Sequence, residues 1–149
     1  MSTVSVSTTI HAPIDRVWET VMDPGCLKDW VTIHRDVTDV SSHPLHAGST
    51  MEQLLCLRGV NFHVHWTLVE VAAPEKAQWD GRGPAHSRAV IRYELTDEGN
   101  GATRFDYTNE FKAPGGVVGN MASRVIVGGV SEREAHHSLA RLKTLLEET

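Results

Sequence analysis

The sequence predicts an α+β fold in which seven antiparallel strands form one curved sheet around a long C-terminal helix. Three observations support this prediction. From residue 32 to residue 111, apolar and polar residues mostly alternate, and turn-forming residues interrupt the pattern. After residue 116, apolar residues recur at helical spacing instead. Between the first strand and this alternating region, the spacing predicts two short helices.

Length and composition favour one folded domain over residues 1–149, because the chain is 40% hydrophobic and 22% charged. A net charge of −5 argues against a nucleic-acid partner, which needs a basic surface. The longest strongly apolar run, Val125 to Val130, is too short to insert into a membrane. The first residues, Met1 to Val6, do not resemble a secretory signal. Cys26 and Cys56 lack metal-binding spacing, so we expect reduced thiols and a cytoplasmic protein.

The first third of the chain carries clear start and stop signals. Alternation from Val4 predicts a strand that closes at Ile10. Pro13 suits the first turn of a helix, because its missing N–H would be unpaired there in any case. The helical spacing then continues to about Met22. Asp23 is placed to cap a second short helix that starts at the next residue.

Six further strands are predicted in series, each joined to the last by a turn. Alternation along these strands is typical of an antiparallel sheet with one wet face and one covered face. The turns fall at His43-Pro44, Arg58-Gly59, Ala73-Pro74, Gly81 to Pro84 and Asp97 to Gly101.

The last element predicted is a helix from about Val118 to about Glu147, after Pro114-Gly115-Gly116 ends the sheet. Steps of three and four residues place one stripe of this helix against the sheet. The stripe consists of Val118, Met121, Val125, Gly128, Glu132, Ala135, Leu139, Leu142 and Leu146.

Several segments resemble the START-like, or SRPBCC, superfamily, and most closely its bacterial polyketide cyclase/dehydrase and lipid-transport branch. The resemblance covers essentially the whole chain and implies a helix-grip fold with a hydrophobic cavity. Its motifs are specific for fold and poor for function. The matching residues are Ile10 to Trp18, Asp23-Pro24 through Trp30, Gly48, Val69-Glu70 to Pro74, Gly101-Ala102-Thr103 and Leu139 to Leu146.

Candidate cavity residues lie on the inward face of three strands and on the helix stripe. Mostly apolar walls with a few polar groups describe a small-molecule pocket, although a plain packed core fits the alternation as well. The candidates are Phe62, Val64, Trp66, Leu68, Ala89, Ile91, Tyr93, Phe105, Tyr107, Asn109, Phe111, Met121, Val125, Gly128 and Glu132.

Two of these candidates are unusual for an inward helix face. Gly128 and Gly129 cost about 1 kcal/mol each relative to alanine in a helix interior. They leave room for a ligand, permit a bend in the helix, or allow close contact with the sheet or the short helices. Placing the Glu132 carboxylate on an apolar face costs free energy unless the carboxylate is ion-paired or hydrated. It hydrogen-bonds a polar group of a ligand or acts as a general acid/base, or else it pairs with an arginine at the cavity mouth or the helix is rotated slightly.

Motifs for metal, cofactor or covalent chemistry are not found in the sequence. His63 and His65 share one strand face, but it is the face opposite Trp66, so we expect them on the solvent side. Neither cysteine has an adjacent histidine, and nucleotide-binding and nucleophile-elbow patterns are missing. We therefore expect no metal and no cofactor.

The leading functional interpretation is a cytoplasmic binder or carrier of a small hydrophobic molecule, such as a lipid or a polyketide-like aromatic. An aromatase/cyclase-type enzyme is the first alternative. There, Tyr93, Tyr107, Asn109 and Glu132 would guide ring closure in the same cavity. An interaction domain like the Hsp90 cochaperones that resemble this fold is the second alternative.

Overall fold

A computed structural model of the chain describes residues 2–112 and 130–148. The helices are α1 (Ile14–Val21), α2 (Leu27–Trp30) and α3 (Glu132–Glu147). The strands are β1 (Ser2–Ile10), β2 (His34–Thr38), β3 (Thr50–Leu57), β4 (Val60–Ala72), β5 (Lys76–Arg82), β6 (Arg88–Gly99) and β7 (Ala102–Lys112).

The seven strands form one curled antiparallel sheet in the order β1-β7-β6-β5-β4-β3-β2. Each strand from β2 to β6 pairs with the next along the chain, whereas β1 pairs with β7, the last strand. The turns lie at or beside the predicted residues, but β5 continues through Arg82 and β6 through Gly99, so the turns after these two strands begin later than predicted. The predicted α+β, helix-grip class is confirmed, because the C-terminal helix and the early short helices accompany this sheet.

The two short helices begin and end as the sequence indicates. Pro13 has the extended backbone of an N-cap before α1. The Asp23 carboxylate accepts a hydrogen bond from the Gly25 N–H at 2.8 Å, and Pro24 opens a 3-10 turn that leads into α2. This cap satisfies a backbone donor that the start of a helix otherwise leaves unpaired. Trp30, the last residue of α2, is thereby directed into the core, where it is 1% exposed.

The C-terminal helix begins later than predicted. Ser131 has an extended backbone, and its hydroxyl accepts a hydrogen bond from the Glu134 N–H at 3.1 Å, so Ser131 is the N-cap of α3. The prediction of one continuous helix from about Val118 to about Glu147 is therefore wrong at Val130 and Ser131. The earlier part of the predicted helix falls within residues 113–129, which lie outside the described residues.

Helix α3 packs across β1 and α2 through a buried stripe. The predicted inward residues from Ala135 onward, namely Ala135, Leu139, Leu142 and Leu146, are all buried. The far end is tied to β1 by polar contacts. The Lys143 ammonium donates to the Thr9 carbonyl at 2.6 Å, and the Glu147 carboxylate accepts from the His11 N–H at 2.8 Å. These contacts fix the angle at which α3 covers the sheet.

Candidate ligand cavity

A cavity of about 110 Å³ lies between the concave face of the sheet, α2 and α3. An engineered apolar cavity of about 150 Å³ in another protein takes up benzene, so this space is on the scale of one aromatic ring. Side chains of β3, β4, β6 and β7 form most of the described wall, and α3 contributes Ala135 and Ser138. Most of these side chains are aromatic or aliphatic, which is typical of a small-molecule pocket.

Three strands bring most of the sequence-predicted residues to this wall. Strand alternation determines which face a residue occupies, and these residues all occupy the concave one. The predicted residues that line the cavity are Phe62, Val64 and Trp66 on β4, Ala89, Ile91 and Tyr93 on β6, and Tyr107, Asn109 and Phe111 on β7.

Two predicted site residues lie elsewhere. Phe105 is fully buried and packs beneath the cavity, with its ring centroid 5.3 Å from that of Tyr93 and 6.2 Å from that of Trp30. Leu68 is likewise fully buried and does not line the cavity.

Glu132 faces solvent, and its expected place on the inward stripe is wrong. Its side chain is 72% exposed and lies 3.5 Å from His136 in an ion-pair geometry. The reason is that Glu132 is the first residue of α3 and precedes the part of the helix that reaches the core. The remaining candidates, Met121, Val125 and Gly128, lie outside the described residues.

A cluster of aromatic rings forms the floor of the cavity. The Trp30 and Tyr93 ring centroids are 6.1 Å apart, and those of Tyr93 and Tyr107 are also 6.1 Å apart. Rings tilted or edge-on at such distances attract each other beyond the effect of area burial. Trp30, which the sequence placed only on the second short helix, is therefore a cavity residue.

A buried amide on β3 contributes a polar group that the sequence reading missed. Gln53 is 5% exposed and lines the cavity. Its Oε1 accepts from the Trp66 indole N–H at 2.8 Å, and its Nε2 donates to His34 Nδ1 at 2.9 Å. The alternation of Met51, Gln53 and Leu55 along β3 was the available signal, because it places a polar side chain on the buried face.

Tyr107 and Asn109 form a second polar pair, on β7. The Asn109 Nδ2 donates to the Tyr107 Oη at 3.2 Å. Burial raises the pKa of Tyr107 to about 12, although the hydrogen bond from Asn109 lowers it somewhat. Burial also raises the pKa of Tyr93, and its neighbour Tyr107 adds to that effect. Both phenols therefore keep their protons at neutral pH.

Within residues 2–112 and 130–148, two buried polar atoms on the cavity wall have no hydrogen-bond partner. They are the indole Nε1 of Trp30 and the Oδ1 of Asn109. A buried polar atom without a partner costs about 1–3 kcal/mol. Such atoms are uncommon in folded proteins, and each calls for an explanation.

The convex face of the sheet carries the histidines that sequence spacing placed there. His63 and His65 are both exposed, and His65 contacts the Glu52 carboxylate. Over residues 2–112 and 130–148, no group of three or more His, Cys, Asp or Glu side chains is placed to hold a metal ion. No helix within these residues combines the length and apolar character needed to cross a bilayer.

The fold and cavity define a START-like protein of the helix-grip class. Residues 1–147 match the family described as polyketide cyclase / dehydrase and lipid transport, and the chain belongs to that family. No functionally curated protein matches the sequence significantly.

Solved structures with the same fold share little sequence with this chain. A START superfamily protein from Mycobacterium smegmatis superposes with a TM-score of 0.74 at 15% identity, over 98% of this chain and 97% of that one. A protein from Chromobacterium violaceum gives a TM-score of 0.70 at 16% identity, over 99% of both chains. DynU16, a protein in the dynemicin biosynthetic locus, gives 0.66 at 19% identity, and this chain spans 48% of its length.

Proposed function

We propose that this protein binds or carries a small, uncharged hydrophobic molecule in the cavity between the sheet, α2 and α3. The observation that carries the proposal is the wall itself, where side chains such as Phe62, Ile91 and Tyr107 converge on an internal space. Transfer of apolar surface from water into such a space is favourable by about 25 cal/mol per Å². The family description, which includes lipid transport, points to the same class of activity.

The proposal treats residues 1–149 as one binding unit in the cytoplasm. The family match over residues 1–147 supports a single unit. Cys26 and Cys56 are free thiols, which is typical of proteins in a reducing compartment.

An aromatase/cyclase-type enzyme is the second candidate, and the family description is what favours it. Such an enzyme needs a side chain in the cavity that exchanges protons near neutral pH. Glu132, the carboxylate expected in that role, is on the surface. Tyr93 and Tyr107 both hold their protons because burial raises their pKa values. The described wall therefore suits binding better than proton transfer.

A protein-docking role has less support from the surface. Among the described residues, Val69 is the only large apolar side chain that is exposed, at 43%. A docking surface normally presents a contiguous apolar patch rather than one side chain.

A cavity-filling substitution tests the binding proposal. Ala89 lines the cavity, and the adjacent Val90 lies on the opposite face of β6. We expect Ala89→Phe to abolish binding of toluene, measured by titration in proton–nitrogen correlation spectra. The matched control, Val90→Phe, should leave toluene binding intact. Native mass spectrometry of the purified protein should also reveal a co-purified neutral molecule. Equal toluene binding by folded Ala89→Phe and parent protein would contradict the proposal.

A further inference from the structure

We infer that Tyr107 and Asn109 form a polar subsite that selects a neutral hydroxyl group on an aromatic ligand. The cavity would then prefer a phenol-like ring to a plain hydrocarbon ring or to an aromatic anion. This inference names the ligand class of the proposed function and rests on it. It starts from an observation that packing alone does not explain, namely the unpartnered Oδ1 of Asn109.

The geometry of the pair fixes the role of the Tyr107 hydroxyl. The two residues occupy alternate positions on β7, so both side chains lie on the concave face of the sheet. The Tyr107 Oη accepts from the Asn109 Nδ2 at 3.2 Å, so the O–H hydrogen must point away from that amide. Because burial raises the pKa of Tyr107 to about 12, this hydrogen is present throughout the physiological range. Tyr107 therefore offers a hydrogen-bond donor to a ligand.

Asn109 offers the complementary acceptor. Its side chain is 7% exposed, and its Oδ1 is buried without a partner. An amide oxygen only accepts hydrogen bonds, so the missing partner is a donor. The Tyr107 donor and the Asn109 acceptor belong to side chains already in contact. A hydroxyl can satisfy both, because it accepts one hydrogen bond and donates another.

The charge of the wall excludes an ionised ligand. Among the described lining residues, Arg88 is the one with a permanent positive charge, and it is exposed at the first position of β6. A carboxylate moved against this part of the wall would lose its hydration, and no described lining residue offers a buried cation to replace it, which is a large cost. The ligand that fits is therefore neutral.

The size of the cavity limits the ligand further. A volume of about 110 Å³ is below the roughly 150 Å³ that takes up benzene elsewhere, so it limits the ligand to a single ring with at most a small substituent. The rings of Trp30, Tyr93 and Tyr107 form one side of this space, and they favour a flat aromatic partner. A mono-hydroxylated single ring meets the shape, the charge and the hydrogen-bonding requirements together.

Three probes of one shape separate these requirements: toluene, p-cresol and p-toluate. Water solvates p-cresol better than toluene, so a cavity with no polar partner should bind toluene more tightly. A cavity with the proposed subsite regains the lost hydrogen bonds. We expect p-cresol to bind the parent protein about 3–10-fold more tightly than toluene, and p-toluate not to bind detectably. The dissociation constants are measured by titration in proton–nitrogen correlation spectra.

Two near-isosteric variants remove the subsite one half at a time. Tyr107→Phe deletes the donor and Asn109→Leu deletes the acceptor, while both keep the apolar volume of the wall. In each, we expect the preference to reverse, so that toluene binds more tightly than p-cresol. Thr108→Val is the matched control, because Thr108 lies between the two on the other face and its hydroxyl contacts Ser5. It should keep the preference of the parent.

The outcomes distinguish the subsite from the cavity. One outcome is that toluene binds while p-cresol binds the parent no more tightly than it binds either folded variant. In that case the proposed subsite is wrong, and the proposal that the cavity binds a hydrophobic molecule stands. If the parent protein binds neither neutral probe, both proposals fail. Should one variant not fold, judged by its near-ultraviolet circular dichroism, the other gives the same comparison.

In the parent, p-cresol should also shift the Asn109 side-chain amide signals more than toluene does, and equal shifts would count against the subsite.

Discussion

The Trp66 indole N–H donates to Gln53 Oε1 at 2.8 Å, and this bond fixes the orientation of the whole Gln53 amide. An indole N–H only donates, so the amide oxygen must face Trp66 and the amide nitrogen must face the other way. That nitrogen lies 2.9 Å from His34 Nδ1 and donates to it. His34 Nδ1 must therefore carry a lone pair, which makes His34 a neutral imidazole with its proton on Nε2.

The first prediction concerns the pH dependence of stability through His34. Burial lowers its pKa below the usual 6.5, although Asp36 on the same strand raises it by a smaller effect. Below pH 6.5 the unfolded chain takes up a proton that the folded protein resists. The contribution of His34 to the free energy of unfolding is therefore full above pH 6.5. It is lost as the pH drops from 6.5 to the lowered pKa of His34 in the folded protein. The measurement is the free energy of unfolding in urea from about pH 8 to about pH 5.

The chain has nine histidines, and a substitution isolates the contribution of His34 from that of the others. His34→Asn keeps an acceptor near the position of Nδ1 and removes the titration, so stability should fall less steeply on acidification. His63→Asn, on the exposed convex face, is the control for a histidine-to-asparagine change outside this hydrogen-bond network. Identical slopes for His34→Asn and the parent would show that the His34–Gln53 bond does not resist protonation.

The second prediction concerns the close approach of β5 to the Trp66 ring. Gly81 pairs with Trp66 across the sheet, and a Cβ at Gly81 would lie 2.6 Å from Trp66 Cζ3 and 2.9 Å from Val64 Cγ1. Real Cβ atoms do not approach other carbons so closely, so Trp66 must move. We expect Gly81→Ala to lower the free energy of unfolding by about 1–3 kcal/mol, measured in urea.

A double-mutant cycle checks the cause of this loss. Trp66→Leu removes the two ring atoms that the new Cβ would meet, so Gly81→Ala should cost less in that background. The contact with Val64 leaves a residual penalty. If Gly81→Ala lowers the free energy of unfolding equally in the parent and in Trp66→Leu, the clash with the indole is not the cause of the loss.

The sheet was predictable because period two is a direct consequence of strand geometry. Alternation along β6 correctly placed Ile91 and Tyr93 on the concave face. Alternation predicts which face of the sheet a residue occupies, but it does not predict how far along the strand the cavity extends. Phe105 shares a face with Tyr107, yet it lies beneath Trp30 in the core because it is further toward the start of β7.

The start of α3 was not predicted because apolar residues keep helical spacing across the break. Helical periodicity reports which residues would share a face, not whether the backbone is helical at each one. The local signal was present as Ser131 followed three residues later by Glu134, the pattern of a capping box. Only half of the box forms here. The Glu134 carboxylate accepts from the Thr32 hydroxyl at 2.8 Å and so ties α3 to the segment after α2.

The third prediction follows from the Ser131 cap. Ser131→Ala removes the acceptor for the Glu134 N–H and should lower the free energy of unfolding by about 1 kcal/mol, with a range of about 0.5–2 kcal/mol. Ser131→Asp restores an acceptor of similar reach and should recover most of the loss. Urea unfolding of the three proteins provides the comparison. If Ser131→Ala leaves the free energy of unfolding unchanged, the helix does not depend on this hydrogen bond.

The final prediction uses the two tyrosines of the chain, Tyr93 and Tyr107, both of which border the cavity. Burial raises both pKa values above the usual 10, that of Tyr107 to about 12. The folded protein therefore holds these protons more tightly than the unfolded chain does. Their contribution to stability is full below pH 10 and is lost as the pH rises from 10 toward the raised values. Tyrosinate absorbance should stay near zero at pH 10 in the folded protein, whereas the urea-unfolded chain should be half ionised there.

Asn109→Leu and Tyr107→Phe assign this titration to single residues. The hydrogen bond from Asn109 stabilises the Tyr107 phenolate, so Asn109→Leu should move the Tyr107 titration to still higher pH. Tyr107→Phe removes that step and also the charge that raises the Tyr93 pKa, so the remaining tyrosine should ionise at a somewhat lower pH than in the parent. Circular dichroism recorded at each pH separates ionisation of the folded protein from unfolding. Half of the tyrosine absorbance appearing near pH 10 in the folded parent, and missing from folded Tyr107→Phe, would show that Tyr107 meets bulk water and would contradict the donor on which ligand selection depends.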